Sequence, residues 1–190
     1  LAIGLSSYRY LVQVGPVPPL IADNAFKLPW LSLHVASAAT ALLIGPLQLL
    51  PRLRRRGSGW HRYLGRVYAL GCLLGGASGL ALALGSAAGP AATLGFGSLA
   101  VAWLMTTTLA WRAALARAFA DHRAWVLRSL ALTSAAITLR LYLVILPLLP
   151  VPFLTGYRAI AFLCWLPNLL VVELYLRKRA TRQTEPLAAV

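Results

Sequence analysis

Apolar residues run along this chain in long blocks separated by short polar, basic or proline-rich breaks. The blocks at 30–50, 64–84, 91–114, 124–146 and 158–176 each approach the ~20 residues a helix needs to cross a hydrocarbon core ~30 Å thick. A further block at 1–14 is too short to span. Either the true N-terminus lies upstream of it or a first helix is truncated; no small-residue cleavage site follows, so it does not read as a cleaved signal. The breaks carry the residues that stop helices: Gly15-Pro16-Val17-Pro18-Pro19, Pro51, the uncharged turn at 85–90, and Pro147, Pro150 and Pro152. The pattern predicts an all-α fold, a polytopic transmembrane helical bundle of about six spans forming one domain over 1–190. Within the third span, Gly71, Gly75, Gly76, Ala77, Ser78 and Gly79 predict a close helix–helix contact, because small residues let backbones approach where lipid supplies no hydrophobic drive.

Composition agrees with lipid as the main solvent. Hydrophobic residues make up 59% of the chain and charged residues only 12%, about half the usual share in a soluble domain. The net charge of +14 would suggest nucleic acid in a soluble chain, but the charges lie between apolar runs rather than along one face, which excludes that partner. Six Arg fall at 52–66, four at 112–128 and four Lys or Arg at 177–182. If the spans alternate, these basic residues share one side, and the opposite loops carry only Lys27 and Arg158. The positive-inside rule makes the basic side cytoplasmic. The expectation is a multi-pass protein of the bacterial cytoplasmic (inner) membrane with its C-terminus in the cytoplasm. Cys72 and Cys164 sit inside apolar runs without metal-site spacing and read as buried free thiols.

The segment His34…Gly45-Pro46-Leu47-Gln48…Arg52…His61-Arg62-Tyr63-Leu64-Gly65-Arg66-Val67-Tyr68 resembles an uncharacterised family of predicted bacterial integral membrane proteins, known as a domain of unknown function. The stretch His122-Arg123-Ala124-Trp125-Val126-Leu127-Arg128-Ser129, Thr138-Leu139-Arg140 and Cys164-Trp165-Leu166-Pro167-Asn168 fit the same pattern, so the resemblance covers most of 30–176. It implies the fold and the membrane and supplies no activity. The placement of His-Arg-x-x-Gly at the start of a span also resembles cytochrome b561-type haem proteins.

The polar residues that could carry chemistry divide into two layers. On the basic side, His61 and His122 each precede a span and are each followed by Arg. The helix–basic turn–His-Arg–helix unit occurs twice, which predicts the two imidazoles at similar depth on the third and fifth helices. Such a pair can give both axial ligands of a b-type haem, with Arg62, Arg66, Arg123 or Arg128 pairing with propionates. Glu173 and Gln48 enter the same half. The membrane interface is the cheapest place for both histidines, so snorkelling headgroup contacts and quinone binding stand as alternatives. A second bis-histidine pair is missing, since Thr106, Thr107 and Thr108 stand where His34 would need a partner. On the other side, Arg9, His34 and Arg140 fall at similar depth, with Asn168 nearer the middle. An arginine inside a span costs roughly 2.5–3.5 kcal/mol at the centre on insertion scales, so Arg140 should face the bundle and pair with carbonyls, Asp23 or an anionic ligand. Ser129 and Thr133 read as interhelical glue or as bonded to their own helix.

With only four acidic residues, no Ser-His-Asp set and no phosphate-cradling loop, a carboxylate-relay pump or an acid–base hydrolase is disfavoured. Three classes remain. The first is a redox membrane protein binding haem b or quinone. The second is a non-catalytic accessory or assembly subunit of a larger membrane complex or homo-oligomer. The third is a small transporter for an anionic solute around Arg9, His34 and Arg140.

Overall fold

A computed structural model of the chain describes residues 2–12, 15, 18–53 and 59–184. Arg54, Arg55 and Arg56 of the basic turn, and the tail beyond 184, lie outside the described residues. The elements are α1 (Ala2–Ser7), α2 (Pro19–Ala22), α3 (Trp30–Ile44), α4 (Gly59–Leu84), α5 (Pro90–Leu115), α6 (Phe119–Thr133), α7 (Ala135–Ile145), α8 (Phe153–Leu163) and α9 (Leu166–Thr184), with no strand among the described residues. Among the described residues, five stretches are long and apolar enough to cross a membrane: Trp30–Leu49, Gly59–Leu84, Pro90–Leu115, Phe119–Leu148 and Phe153–Thr181. The protein is a multi-pass membrane protein with a helical bundle fold.

The first predicted block, 1–14, is not among these five stretches. Residues 2–10 form α1 and one 3-10 turn that lean on α3: Tyr8 Oη is 2.8 Å from Thr40 Oγ1, and a Cβ at Gly4 would lie 2.8 Å from Leu43. The span boundaries also shift outward. α4 starts at Gly59 and α6 at Phe119, so His61 and His122 lie in the first turns of their helices rather than in the turns before them.

Sequential helices pack side by side in the order α3, α4, α5, α6, and the last span closes the bundle with α8 on α5 and α9 on α6. The small residues of α4 make the first contact possible, since a Cβ at Gly71 would stand 3.0 Å from the Ser37 carbonyl of α3. Gly95 of α5 does the same for α8, where a Cβ would meet the Ala161 backbone at 2.9 Å. The core joins Ala41, Tyr68, Cys72, Trp103, Leu132, Ile160, Cys164 and Trp165. Large aliphatic side chains meanwhile point outward, Val144 at 74% and Leu148 at 80% exposure, as expected where lipid rather than water covers the surface.

Two spans are interrupted at the same level. The fourth span long enough to cross breaks between α6 and α7 at Ser134, and the fifth breaks between α8 and α9 at Cys164–Trp165. Pro167 has no N–H to give to the preceding turn. The carbonyl of Cys164, at the break itself, accepts from the Thr138 hydroxyl and from Asn168 Nδ2, the latter at 3.1 Å. Asn168 Nδ2 also reaches Ser134 Oγ at 3.0 Å and Thr138 Oγ1 at 3.1 Å. The two breaks therefore stitch the last two spans together with side chains, the usual remedy for freed backbone groups in lipid.

Candidate functional site

Three polar layers cross the bundle, and they differ in how completely their hydrogen bonds close. The middle layer is a buried hydroxyl cluster. Tyr68 Oη lies 2.9 Å from both Ser129 Oγ and Thr133 Oγ1, Thr107 Oγ1 lies 2.8 Å from Ser129 Oγ, and Trp103 Nε1 donates to Thr133 Oγ1 at 3.0 Å. Thr133 in turn donates to the Ser129 carbonyl at 2.8 Å. One proton arrangement satisfies every member: Thr107 donates to Ser129, Ser129 to Tyr68, Tyr68 to Thr133, and Thr133 to the carbonyl. Tyr68 and Trp103 are invisible as a pair in the sequence because they come from different helices. The Ser129/Thr133 spacing of one helical turn was the available signal.

The basic-end layer is built from the starts of α4 and α6. The contact between Tyr68 and Ser129 fixes the register of these two helices, which both rise from this end. His61 and His122 each lie seven residues before their member of that pair. Seven residues are about two turns, or ~10.5 Å, and return a side chain to nearly the same face. The two histidines therefore occupy one level, on the faces that meet higher up. His122 Nδ1 is 2.9 Å from the Ala110 carbonyl of α5. A carbonyl can only accept, so Nδ1 carries the proton and Nε2 of the neutral ring keeps its lone pair.

Gln48 enters this half from the end of α3. It is 5% exposed, and its amide Nε2 is buried without a hydrogen-bond partner. Its Oε1 approaches Gly65, where a Cβ would stand at 3.4 Å, one turn along α4 from His61. Arg62, Arg66 and Arg123 are exposed around the same level. Arg128 is different: its Nε donates to Glu173 Oε1 at 2.5 Å and its Nη2 to Oε2 at 2.9 Å, with the guanidinium 4.5 Å from the Trp125 ring centre. This two-pronged pair commits Arg128 to Glu173 and α6 to α9, which removes it from the residues free to meet a propionate.

The opposite end gathers Arg9, Arg140 and His34. Arg140 does not reach Asp23. Its Nη1 donates to the Ala136 carbonyl at 2.8 Å and its Nη2 to Ser7 Oγ at 2.6 Å. Arg9 donates to Tyr10 Oη at 3.0 Å and lies over that ring. Arg140 is within electrostatic range of Arg9, Tyr10 and His34. His34 Nδ1 is 2.9 Å from the Gly75 carbonyl, and Gly79 makes room for the ring, since a Cβ there would stand 3.1 Å from it. Asn168 belongs to the stitch between the broken spans rather than to this layer.

Two grooves open on the bundle surface. One, of about 240 Å³, lies between α3 and α4 along Leu33, Ser37, Thr40, Val67 and Leu74. The other, of about 150 Å³, lies along Leu42, Pro46, Leu130 and Ile137. Both are apolar, and neither is lined by His61, His122 or Arg140.

Residues 31–176 match the family model described as Predicted membrane protein (DUF2306). The chain belongs to this family. The match begins at the start of α3 and ends inside α9, so it takes in the hydroxyl cluster, both basic-end histidines, His34 and Arg140, while Ser7 and Arg9 lie before it. No curated protein and no solved structure matches the chain. The likeness of the His-Arg entrances to cytochrome b561-type bundles thus rests on those residues alone.

Proposed function

We propose that this membrane protein is a redox carrier whose basic end would hold one b-type haem through His61 and His122. The observation that carries the reading is the Tyr68–Ser129 contact, since His61 and His122 each lie seven residues before its two members. A pair of imidazoles is a ligand set suited to haem iron, and these two histidines would supply it. The Ala110 carbonyl on His122 Nδ1 is the kind of outer bond that fixes the tautomer and orientation of a ligating histidine. Exposed Arg62, Arg66 and Arg123 supply the positive charge that propionates need. When bound, the haem would supply one-electron chemistry; the chain orients its ligands and closes the middle of the bundle above them with the hydroxyl cluster. By the positive-inside rule this end faces the cytoplasm of a bacterial inner membrane, as does the C-terminus.

Gln48 favours a second reading at the same level. An amide donor buried without a partner is a costly arrangement, and a quinone carbonyl would satisfy it. Optical spectra separate the two. The haem reading predicts a Soret band and reduced α/β bands in protein purified from haem-sufficient cells. A colourless preparation that retains extractable quinone favours the second reading, and a preparation with neither ends both.

A further inference from the structure

We propose that Arg9 and Arg140 form an oxyanion-binding site at the end of the bundle opposite the basic one, taking the phosphate of an anionic lipid headgroup or a free phosphate. Arg140 Nη2 bonds Ser7 Oγ at 2.6 Å, two residues before Arg9, so a half-buried guanidinium of α7 and an exposed one just past α1 share this corner of the bundle. Their hydrogen bonds go to neutral groups: a carbonyl, a serine hydroxyl and a tyrosine hydroxyl. Each guanidinium keeps N–H donors beyond those bonds.

Among the described residues the ion pair is Arg128 with Glu173, and it lies at the other end of the bundle. Among the described residues no acid pairs with Arg9 or Arg140. Two like charges near lipid and near one another repel, and a single oxyanion between them removes the repulsion while accepting charge-assisted hydrogen bonds from both. The frame around them is fixed. Ser7 is 6% exposed and ties α1 to Arg140, while the Tyr8–Thr40 bond holds the following turn against α3. Arg140 is thus held in place by Ser7, and the turn that carries Arg9 is fixed against α3. The site does not depend on what the histidine layer binds.

The test uses the full chain. In native mass spectrometry with phosphatidylglycerol and phosphatidylcholine offered in equal amounts, the protein should retain phosphatidylglycerol preferentially. Arg9→Gln should cut that preference roughly tenfold, the worth of one charge-assisted hydrogen bond. Lys27→Gln, which removes a charge from the same end but not from the site, should leave it unchanged. Arg140→Lys should keep the fold and lose part of the preference, since a point charge cannot replace the planar fork. In a parallel arm, inorganic phosphate is added to the protein in phosphatidylcholine nanodiscs. A rise in Tm that Arg9→Gln abolishes, without lipid preference, assigns the site to a free oxyanion. The proposal is overturned if neither probe binds, if Arg9→Gln and Arg140→Lys bind as wild type does, or if Lys27→Gln weakens binding as much as Arg9→Gln.

Discussion

The hydroxyl cluster in the middle of the bundle and the histidine layer at its basic end are both polar, both built on α4 and α6, and separated by two helical turns. They nonetheless differ in one respect. In the middle, Tyr68, Thr107, Ser129, Thr133 and Trp103 use their donors on one another and on a carbonyl. At the basic end, His122 Nε2 has a lone pair to give once Nδ1 is spent on Ala110, and the Gln48 amide is buried without a partner. A closed set of hydrogen bonds rigidifies a bundle and has no capacity left for a ligand. A set with capacity left over has an unfinished stabilisation that a ligand can complete. The comparison separates glue from candidate site without appeal to residue type, since serines and tyrosines would otherwise look as reactive as histidines.

The largest expected effect lies at the hub of the middle layer. Ser129 is fully buried, and Ser129→Leu both overfills its position and strips partners from Tyr68 and Thr107. It should destabilise by about 3 kcal/mol or more, read as a loss of folded protein in detergent, with ligand content per folded molecule unchanged. The Arg128–Glu173 pair comes next. Glu173→Gln removes the charge but keeps the shape, and because both side chains are partly exposed, at 21% and 32%, the cost should be about 1 kcal/mol. A double-mutant cycle with Arg128→Gln should recover most of that as coupling between α6 and α9. Tyr68→Phe should cost least, about 0.6 kcal/mol, the average for interhelical hydrogen bonds in membranes, because Ser129 and Thr133 keep other partners. If Tyr68→Phe instead abolished cofactor binding while the protein stayed folded, the division between the two layers would collapse.

Much of the fold is legible in the sequence because bilayer thickness imposes a length on every span. The apolar blocks from Trp30 onward become the five spans, and the glycines of α4 become the contact with α3. The block at 1–14 was harder to read, since apolar character alone cannot distinguish a span from a short helix lying against α3. Hydropathy starts the α4 and α6 spans at 64 and 124, several residues after the helix starts at Gly59 and Phe119, because polar first turns look like loops, although Trp60, Phe119 and the following Arg residues belong to the helices. The repeated His-Arg unit puts His61 and His122 each seven residues before Tyr68 and Ser129. The Tyr68–Trp103–Thr133 contacts were not readable, because they depend on the rotation of three helices about their axes, which alternating blocks do not encode. The same limit hid the Arg128–Glu173 pair, whose members are 45 residues apart, and left Asn168 grouped with Arg140 by depth when its bonds go to the break at Ser134.

The central claim is that the histidines of the basic end, and not polar residues elsewhere in the bundle, hold a cofactor. The direct measurement is haem content per folded protein, by pyridine haemochrome, in wild type and in the variants His61→Ala, His122→Ala and His34→Ala. The account predicts about one haem per chain in wild type and in His34→Ala, with loss in both His61→Ala and His122→Ala. Equal haem in all four proteins, or loss only in His34→Ala, would contradict it.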